Sequence, residues 1–250
     1  MNVLVCVKRV PETAARITLT ADEQEIDTAY LGFTISPHEE CAVEEALRIV
    51  EAHGGSATVL TLGPAAAAEQ LRNALAMGVG AGILLETDGA EFDPAATAAA
   101  IVEVVRERGF DLLLFGNEAA DSGDYQVPVR VAAALDLPCV TGVKGLELDG
   151  GRAVARREAA GGWEVYEVPL PAVISVKEGI NLPRFPSLPG RLRAKKAELE
   201  THAPQRRAPG LEKVRLVVPV EEPSAVEILG NGPEAAPRVV EVLRELGVVQ

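Results

Sequence analysis

Up to about residue 138 the chain alternates between short apolar runs and longer amphipathic segments. NVLVCV (2–7), SATVLTLG (56–63), AGILLE (81–86) and DLLLFG (111–116) are rich in Val, Ile and Leu, as in strands buried on both faces. Between them HEECAVEEALRIVEA (38–52), AAAAEQLRNALAMG (65–78), PAATAAAIVEVVRERG (94–109) and DYQVPVRVAAALD (124–136) repeat apolar residues at helical spacing. In the first of these helices the spacing turns Ala42, Leu47 and Val50 inward and Glu44, Glu45 and Arg48 outward. Strands alternating with helices in this way predict an α/β fold, a doubly wound and mostly parallel sheet with helices on both faces.

Beyond residue 138 the texture changes. VTGVKGLELDGGRAVARREAAGGWEVYEVPLPAVISV (140–176) reads as three strands separated by two Gly-Gly turns, antiparallel and extending one edge of the sheet. APQRRAPG (203–210) reads as an exposed linker. EKVRLVVPVEEP (212–223) reads as one more extended piece, and PEAAPRVVEVLRELG (233–247) as a short amphipathic helix stopped at Gly247. The expected division is a nucleotide-binding domain over 1–200 and a linker with an extended C-terminal arm over 201–250, the terminal helix packing on another chain.

Composition narrows the function classes. The chain is 48% apolar and 24% charged, ordinary for a protein with a real core, but only 4% aromatic. A formal charge of −13 opposes nonspecific binding to nucleic acid or to anionic membranes. No run approaches the length of a membrane span, and the chain opens directly on a strand without the pattern of a secretory leader. Cys6, Cys41 and Cys139 are odd in number and far apart, which argues against a disulfide framework and for a reducing, cytoplasmic compartment. His38, His53 and His202 are isolated and no CxxC is present, so no metal site is expected. There is no P-loop motif and no nucleophile elbow. GVGAG (78–82) precedes a strand where a phosphate loop follows one. No catalytic constellation is visible.

Ligands of an open parallel sheet sit outside the carboxyl ends of its strands. The loops leaving those ends are KRVPETAA (8–15), GPAA (63–66) and GNEAADSGDYQV (116–127). The last is the most unusual: Gly116 is followed by Asn117, Asp121, Ser122, Gly123 and Asp124 ahead of a helix. Small residues let backbone N–H groups approach a phosphate at a helix amino terminus. The same Asp121, Ser122 and Asp124 are also good helix caps, and two carboxylates oppose a phosphate unless they face elsewhere. In ISPHEECAVEEA, Ser36, Pro37 and Glu39 match a capping box.

These segments resemble the β subunit of electron transfer flavoprotein. VLVCVKRVPET resembles that family's opening strand and loop, and SPHEECAVEEALRI its N-P-x-x-x-x-A-V-E-E-A segment, with Ser36 where asparagine is usual. GPAAAAEQLRNALAMG is similar to its G-P-x(5)-[LI]-R-x-A-L-A-M-G helix. REAAGGWEVYEVPLPAVISV followed by NLPRFPSLPGRLRAKK is similar to its most specific region. The resemblance covers effectively the whole chain. It implies an adenine nucleotide α-hydrolase-like sheet and an electron-carrier subunit without a catalytic site of its own. Its partner is an α subunit that carries the redox-active FAD, in an obligate heterodimer. It implies a structural AMP in this chain, or a second FAD in flavin-bifurcating members. The nucleotide would lie against Cys6, the turn Ser36–Pro37–His38–Glu39, Leu62, and the loop Gly116, Asp121, Ser122, Gly123, Asp124, Tyr125, Gln126 and Val127. The family's loop usually reads like D-G-D-T-[AG]-Q-V. Here Asp121, Gln126 and Val127 match, while Asp124 and Tyr125 replace small residues. Thr13, in loop 11–15, would lie toward the α subunit's flavin.

The resemblance also makes residues 176–198 a recognition loop for partner dehydrogenases. FPSLPGRLRAKK (185–196) holds Leu188 between Pro186 and Pro189, with Arg191, Arg193, Lys195 and Lys196 behind it. Leu188 would fill an apolar pocket on an acyl-CoA dehydrogenase or related flavin dehydrogenase, and the cations would steer docking. Alternatively Leu188 packs on its own domain and the cations form a solvated face. Electrons would leave to an acceptor of the electron transfer flavoprotein–quinone oxidoreductase type. A stand-alone ATP pyrophosphatase or ligase needs a glycine- and serine-rich loop with Asp-Ser after the first strand, where KRVPET stands. A nucleotide sensor without redox work leaves the recognition segment and terminal helix without a role.

Overall fold

The computed structural model describes every residue except 13–15, 90, 208–209, 212, 220–225 and 250. The chain divides into two compact units, 1–214 and 215–250. In chain order the elements are β1 (Asn2–Cys6), β2 (Arg9–Pro11), β3 (Phe33–Ile35), α1 (Pro37–His53), β4 (Ser56–Gly63), α2 (Ala68–Met77), β5 (Ala81–Glu86), α3 (Pro94–Val105), β6 (Leu112–Gly116), α4 (Val127–Leu135), β7 (Cys139–Asp149), β8 (Arg152–Ala159), β9 (Gly162–Pro169), β10 (Ala172–Val176), α5 (Leu188–Lys196), β11 (Glu200–His202) and α6 (Ala236–Glu245). Among the described residues the main sheet has nine strands in the order β11-β5-β4-β1-β6-β10-β7-β8-β9, and β2 pairs with β3 in a separate ribbon.

The sheet is doubly wound because successive strand side chains point to opposite faces and both faces are apolar. Val3, Val5, Leu112, Leu114 and Ile174 face α1, α2 and α5. Leu4, Cys6, Leu60, Leu113 and Phe115 face α3 and α4. From β1 the chain winds outward through β4 and β5, which pair in parallel, and then returns to place β6 on the other side of β1. The crossover point therefore falls between β1 and β6. Buried Thr61 donates to the carbonyl of Val7 at 2.7 Å and ties the end of β4 to the chain leaving β1.

The strands and helices expected before residue 138 are all present, and three expectations change. First, AVISV is not part of an antiparallel edge. It forms β10, parallel to both β6 and β7 in the middle of the sheet, and only β7, β8 and β9 make the antiparallel extension. The period marks the difference, since WEVYEVP alternates while AVISV is buried throughout. Second, Glu44 and Glu45 do not face solvent: both are buried, because residues 181–184 fold back over that flank of α1. Third, the proline-bounded turn around Leu188 is the first turn of α5, capped by Ser187, whose Oγ accepts from the Gly190 N–H at 3.1 Å. Residues 213–219 form no strand, and 212 and 220–223 of that expected extended piece lie outside the described residues. In the second unit α6 ends at Glu245, and Gly247, two residues on, adopts a left-handed φ of 70°.

The position that sets the sheet against α1 is Gly116, the last residue of β6. A Cβ there would meet Glu39 Cγ at 2.5 Å and the Glu39 nitrogen at 2.9 Å. Gly116→Ala is expected to cost about 1–3 kcal/mol, the range for overpacking a tight contact. Chemical denaturation reads this as a lower midpoint at unchanged slope.

Candidate functional site

The crevice between the carboxyl ends of β1 and β6 is where a doubly wound sheet binds ligands. Lys8, Ser36, Glu39, Gly116 and the loop after β6 converge there. Glu39 lies on the first turn of α1, and its Oε2 accepts the backbone N–H of Lys8 at 2.7 Å. The capping box is half made. Ser36 is the N-cap, but its side chain makes no capping bond. Its Oγ donates instead to the carbonyl of Glu118 at 3.3 Å, fixing the start of the 117–127 loop. The Glu39 carboxyl is pushed up to about 8, first by burial, with Asp121 adding repulsion and the N–H groups of Lys8 and Ser36 opposing.

The loop after β6 is held at its root by two bonds. The Asn117 N–H donates to the Val176 carbonyl at 2.9 Å, and Ser175 Oγ meets Asn117 Oδ1 at 3.2 Å. None of Asp121, Ser122 and Asp124 caps the following helix. Helix α4 begins at Val127 with Gln126 at its N-cap and no side-chain cap. Asp121 pairs with Lys8 Nζ at 2.7 Å, which also reaches Ser122 Oγ at 3.4 Å. Lys8 thus offsets the carboxylate that most opposes an anionic ligand, and the uncapped amino end of α4 remains to receive one. Gly123 and Tyr125 both adopt left-handed φ, 59° and 57°. That conformation is costly for tyrosine and concentrates at ligand-binding sites. This donor set suits an anionic group such as a phosphate.

The other expected residues fall around this crevice in different ways. Cys6 is buried on the α3–α4 face, and burial, with Glu39 second, raises its thiol far above the ordinary range. It is a neutral packing group beneath the site. Leu62 packs on the same cluster near the end of β4. His38 is tied on both sides: Nδ1 accepts the Glu178 N–H at 3.2 Å and Nε2 faces Glu118 Oε1 at 3.3 Å. Pro37 is exposed at the first position of α1. Thr13 lies outside the described residues. Sequence reasoning named Asn117 in the loop after DLLLFG but did not single out Lys8, Glu118 or Ser175. Only Lys8, a cation directly after the first strand, carried a signal. Among the described residues no cluster of His, Cys, Asp and Glu could hold a metal ion, and no helix is long and apolar enough to cross a membrane.

The second candidate region lies on the α1–α2 face. Leu188 is 71% exposed, and Leu182, Phe185 and Leu192 are more than half exposed with it. Arg191, Arg193, Lys195 and Lys196 are all exposed along α5. The helix itself is fixed to α2. Gly190 approaches the carbonyl of Ala76 so closely that a Cβ would lie 2.3 Å from it. Arg72 Nη1 donates to the carbonyls of Lys195 and Ala197 at 3.2 and 3.1 Å. The reading in which Leu188 packs into its own domain therefore fails: a rigid mount carries an outward leucine.

Comparison with known proteins identifies the family. Residues 25–206 match the family model described as electron transfer flavoprotein domain. The chain is 34% identical over 253 residues to the electron transfer flavoprotein subunit beta of Bacillus subtilis, covering 98% of both chains. It is 41% identical over 204 residues to that of Syntrophomonas wolfei, covering 81% of this chain and 80% of the relative. It is 31% identical to that of Dictyostelium discoideum over 250 residues, 100% of this chain and 99% of the relative. The doubly wound sheet and this sequence similarity define an electron-carrier flavoprotein subunit. The chain belongs to the electron transfer flavoprotein β-subunit family.

The buried Glu39 gives the crevice a pH signature. Its carboxyl titrates near the usual 4.5 when unfolded and at about 8 when folded. Across that window the unfolded chain has lost a proton that the folded chain keeps, so this group's stabilising share is full below 4.5 and lost as pH rises through 8. Glu39→Gln keeps the acceptor for the Lys8 N–H without the charge. Thermal melts at pH 5 and pH 8.5 are expected to show the variant gaining on the native protein at the higher pH; a constant difference contradicts the assignment.

Proposed function

We propose that this chain forms a heterodimer with an α subunit whose FAD carries the electrons, holds a structural AMP in the β1–β6 crevice, and receives flavin dehydrogenases at Leu188. The observation that carries the reading is the outward Leu188 on a helix locked to α2, with cations around it. The FAD supplies the redox chemistry. This chain's residues bind, orient and dock, and none of them acts as a catalytic group. For AMP, the uncapped amino end of α4 and the backbone around Gly123 would receive the phosphate, with Lys8 holding Asp121 away from it. The dehydrogenase, of the acyl-CoA type, would offer an apolar pocket rimmed by carboxylates to meet Arg191, Arg193, Lys195 and Lys196. Reduced carrier would then pass electrons to a quinone-oxidoreductase-type acceptor. The reading places the protein in the reducing cytoplasm, in keeping with Cys6, Cys41 and Cys139 all being unpaired. It gives the terminal arm, with its exposed amphipathic α6, a place on the α subunit.

Two measurements test it. Denaturing the purified heterodimer and quantifying released nucleotides is expected to yield AMP and FAD in equal amounts. Two FAD and no AMP would instead assign the crevice to a second, bifurcating flavin. Burying a leucine in a partner contributes roughly 1.5–3 kcal/mol. Leu188→Ala in the intact heterodimer should therefore raise the dehydrogenase's KM for the carrier roughly ten- to a hundredfold. An unchanged KM removes Leu188 as the anchor.

A further inference from the structure

Residues 182–187, which lead into the docking helix, have no regular secondary structure, yet they are bound to α1 by side chains. Asn181 Nδ2 donates to the Cys41 carbonyl at 2.9 Å and to Glu45 Oε2 at 2.8 Å. Three residues on, Arg184 turns its guanidinium back to the same helix. Its Nε and Nη2 reach Glu44 at 2.8 and 3.1 Å, and its backbone N–H reaches Glu44 Oε2 at 3.1 Å. Nη1 and Nη2 also bridge to the Glu51 carboxylate. Glu44 is 3% exposed. Burial opposes its charge, but the bonds from Arg184 and Arg48 outweigh burial and hold it ionised below the usual carboxylate range. One guanidinium thus joins two carboxylates about two helical turns apart, a geometry that lysine cannot reproduce. The side chains beside this joint point away: Leu182 is 84% exposed and Phe185 95%.

We infer that Arg184 is a positioning residue for docking: clamped between Glu44 and Glu51, it fixes the path of residues 182–187 so that the apolar side chains up to Leu188 meet a dehydrogenase already ordered. The inference rests on the docking reading of Leu188. Arg184 itself faces α1, so it acts by holding the segment, and α2 holds the far end through Arg72 and Gly190. Without the clamp the segment samples other paths, and apparent affinity falls by the fraction of time spent in the competent one. Electron transfer within a docked complex is unaffected.

The test is steady-state reduction of the intact heterodimer by an acyl-CoA dehydrogenase, with melting temperatures measured in parallel. Arg184→Gln is expected to raise KM for the carrier on the order of tenfold with kcat held within about twofold. Arg184→Lys should fall between it and the native protein. In a Leu188→Ala background, Arg184→Gln should add little, because the residue it positions is gone. Glu51→Gln removes only the exposed half of the clamp and gives a smaller KM rise in a chain that keeps its fold. A lower melting temperature with unchanged KM in both single variants assigns the clamp to stability alone and overturns the inference. So do effects of Arg184→Gln and Leu188→Ala that simply multiply. A KM that responds to Leu188→Ala but to neither clamp variant overturns this inference and leaves docking standing. A KM indifferent to Leu188→Ala removes both.

Discussion

Much of the polar flank of helix α1 is covered, and the rest of the molecule is arranged around that fact. One side of it packs on the sheet through Ala42, Ala46 and Leu47. The side that helical spacing assigns to water is covered by residues 181–184, and Glu44, Glu45 and Glu51 become their anchors. A carboxylate as buried as Glu44 is tolerable only with partners of good geometry, and Arg184 and Arg48 supply them. Removing water from this junction fixes where the chain emerges after β10.

The amino end of the same helix borders the crevice. Gly116 lets β6 approach Glu39, Glu39 receives the chain leaving β1, and Ser36 reaches the loop after β6. One element therefore serves both regions of interest: its first turn borders the β1–β6 crevice, and its middle holds residues 181–184. His38 spans the same distance in miniature, with Glu118 on one ring nitrogen and the Glu178 N–H on the other. A carrier subunit whose contribution lies in where it holds other groups needs this kind of rigidity.

Much of this was legible in the chain and some was not, for reasons that differ by residue. The parallel core was readable because continuous Val, Ile and Leu runs such as DLLLFG exist only where both faces are covered. The docking role proposed for Leu188 rests on motif resemblance; the structure adds that its side chain is exposed. The central place of AVISV was hidden because strand order depends on long-range pairing that local pattern does not encode. The burial of Glu44 and Glu45 was hidden because amphipathic spacing assigns faces as though a helix met one neighbour, and α1 meets two. The assignment of Asp121 and Ser122 as caps failed for a related reason: Lys8, more than a hundred residues away in sequence, claims them.

The account stands on residues 182–196 being a preformed dehydrogenase platform. Hydrogen–deuterium exchange of the heterodimer, with and without saturating acyl-CoA dehydrogenase, tests this most directly. The account predicts low exchange along α5 in the free protein and new protection confined to about 182–192 in the complex. Rapid exchange of α5 in the free protein, or protection that falls elsewhere on this chain while 182–192 stays unchanged, would contradict it.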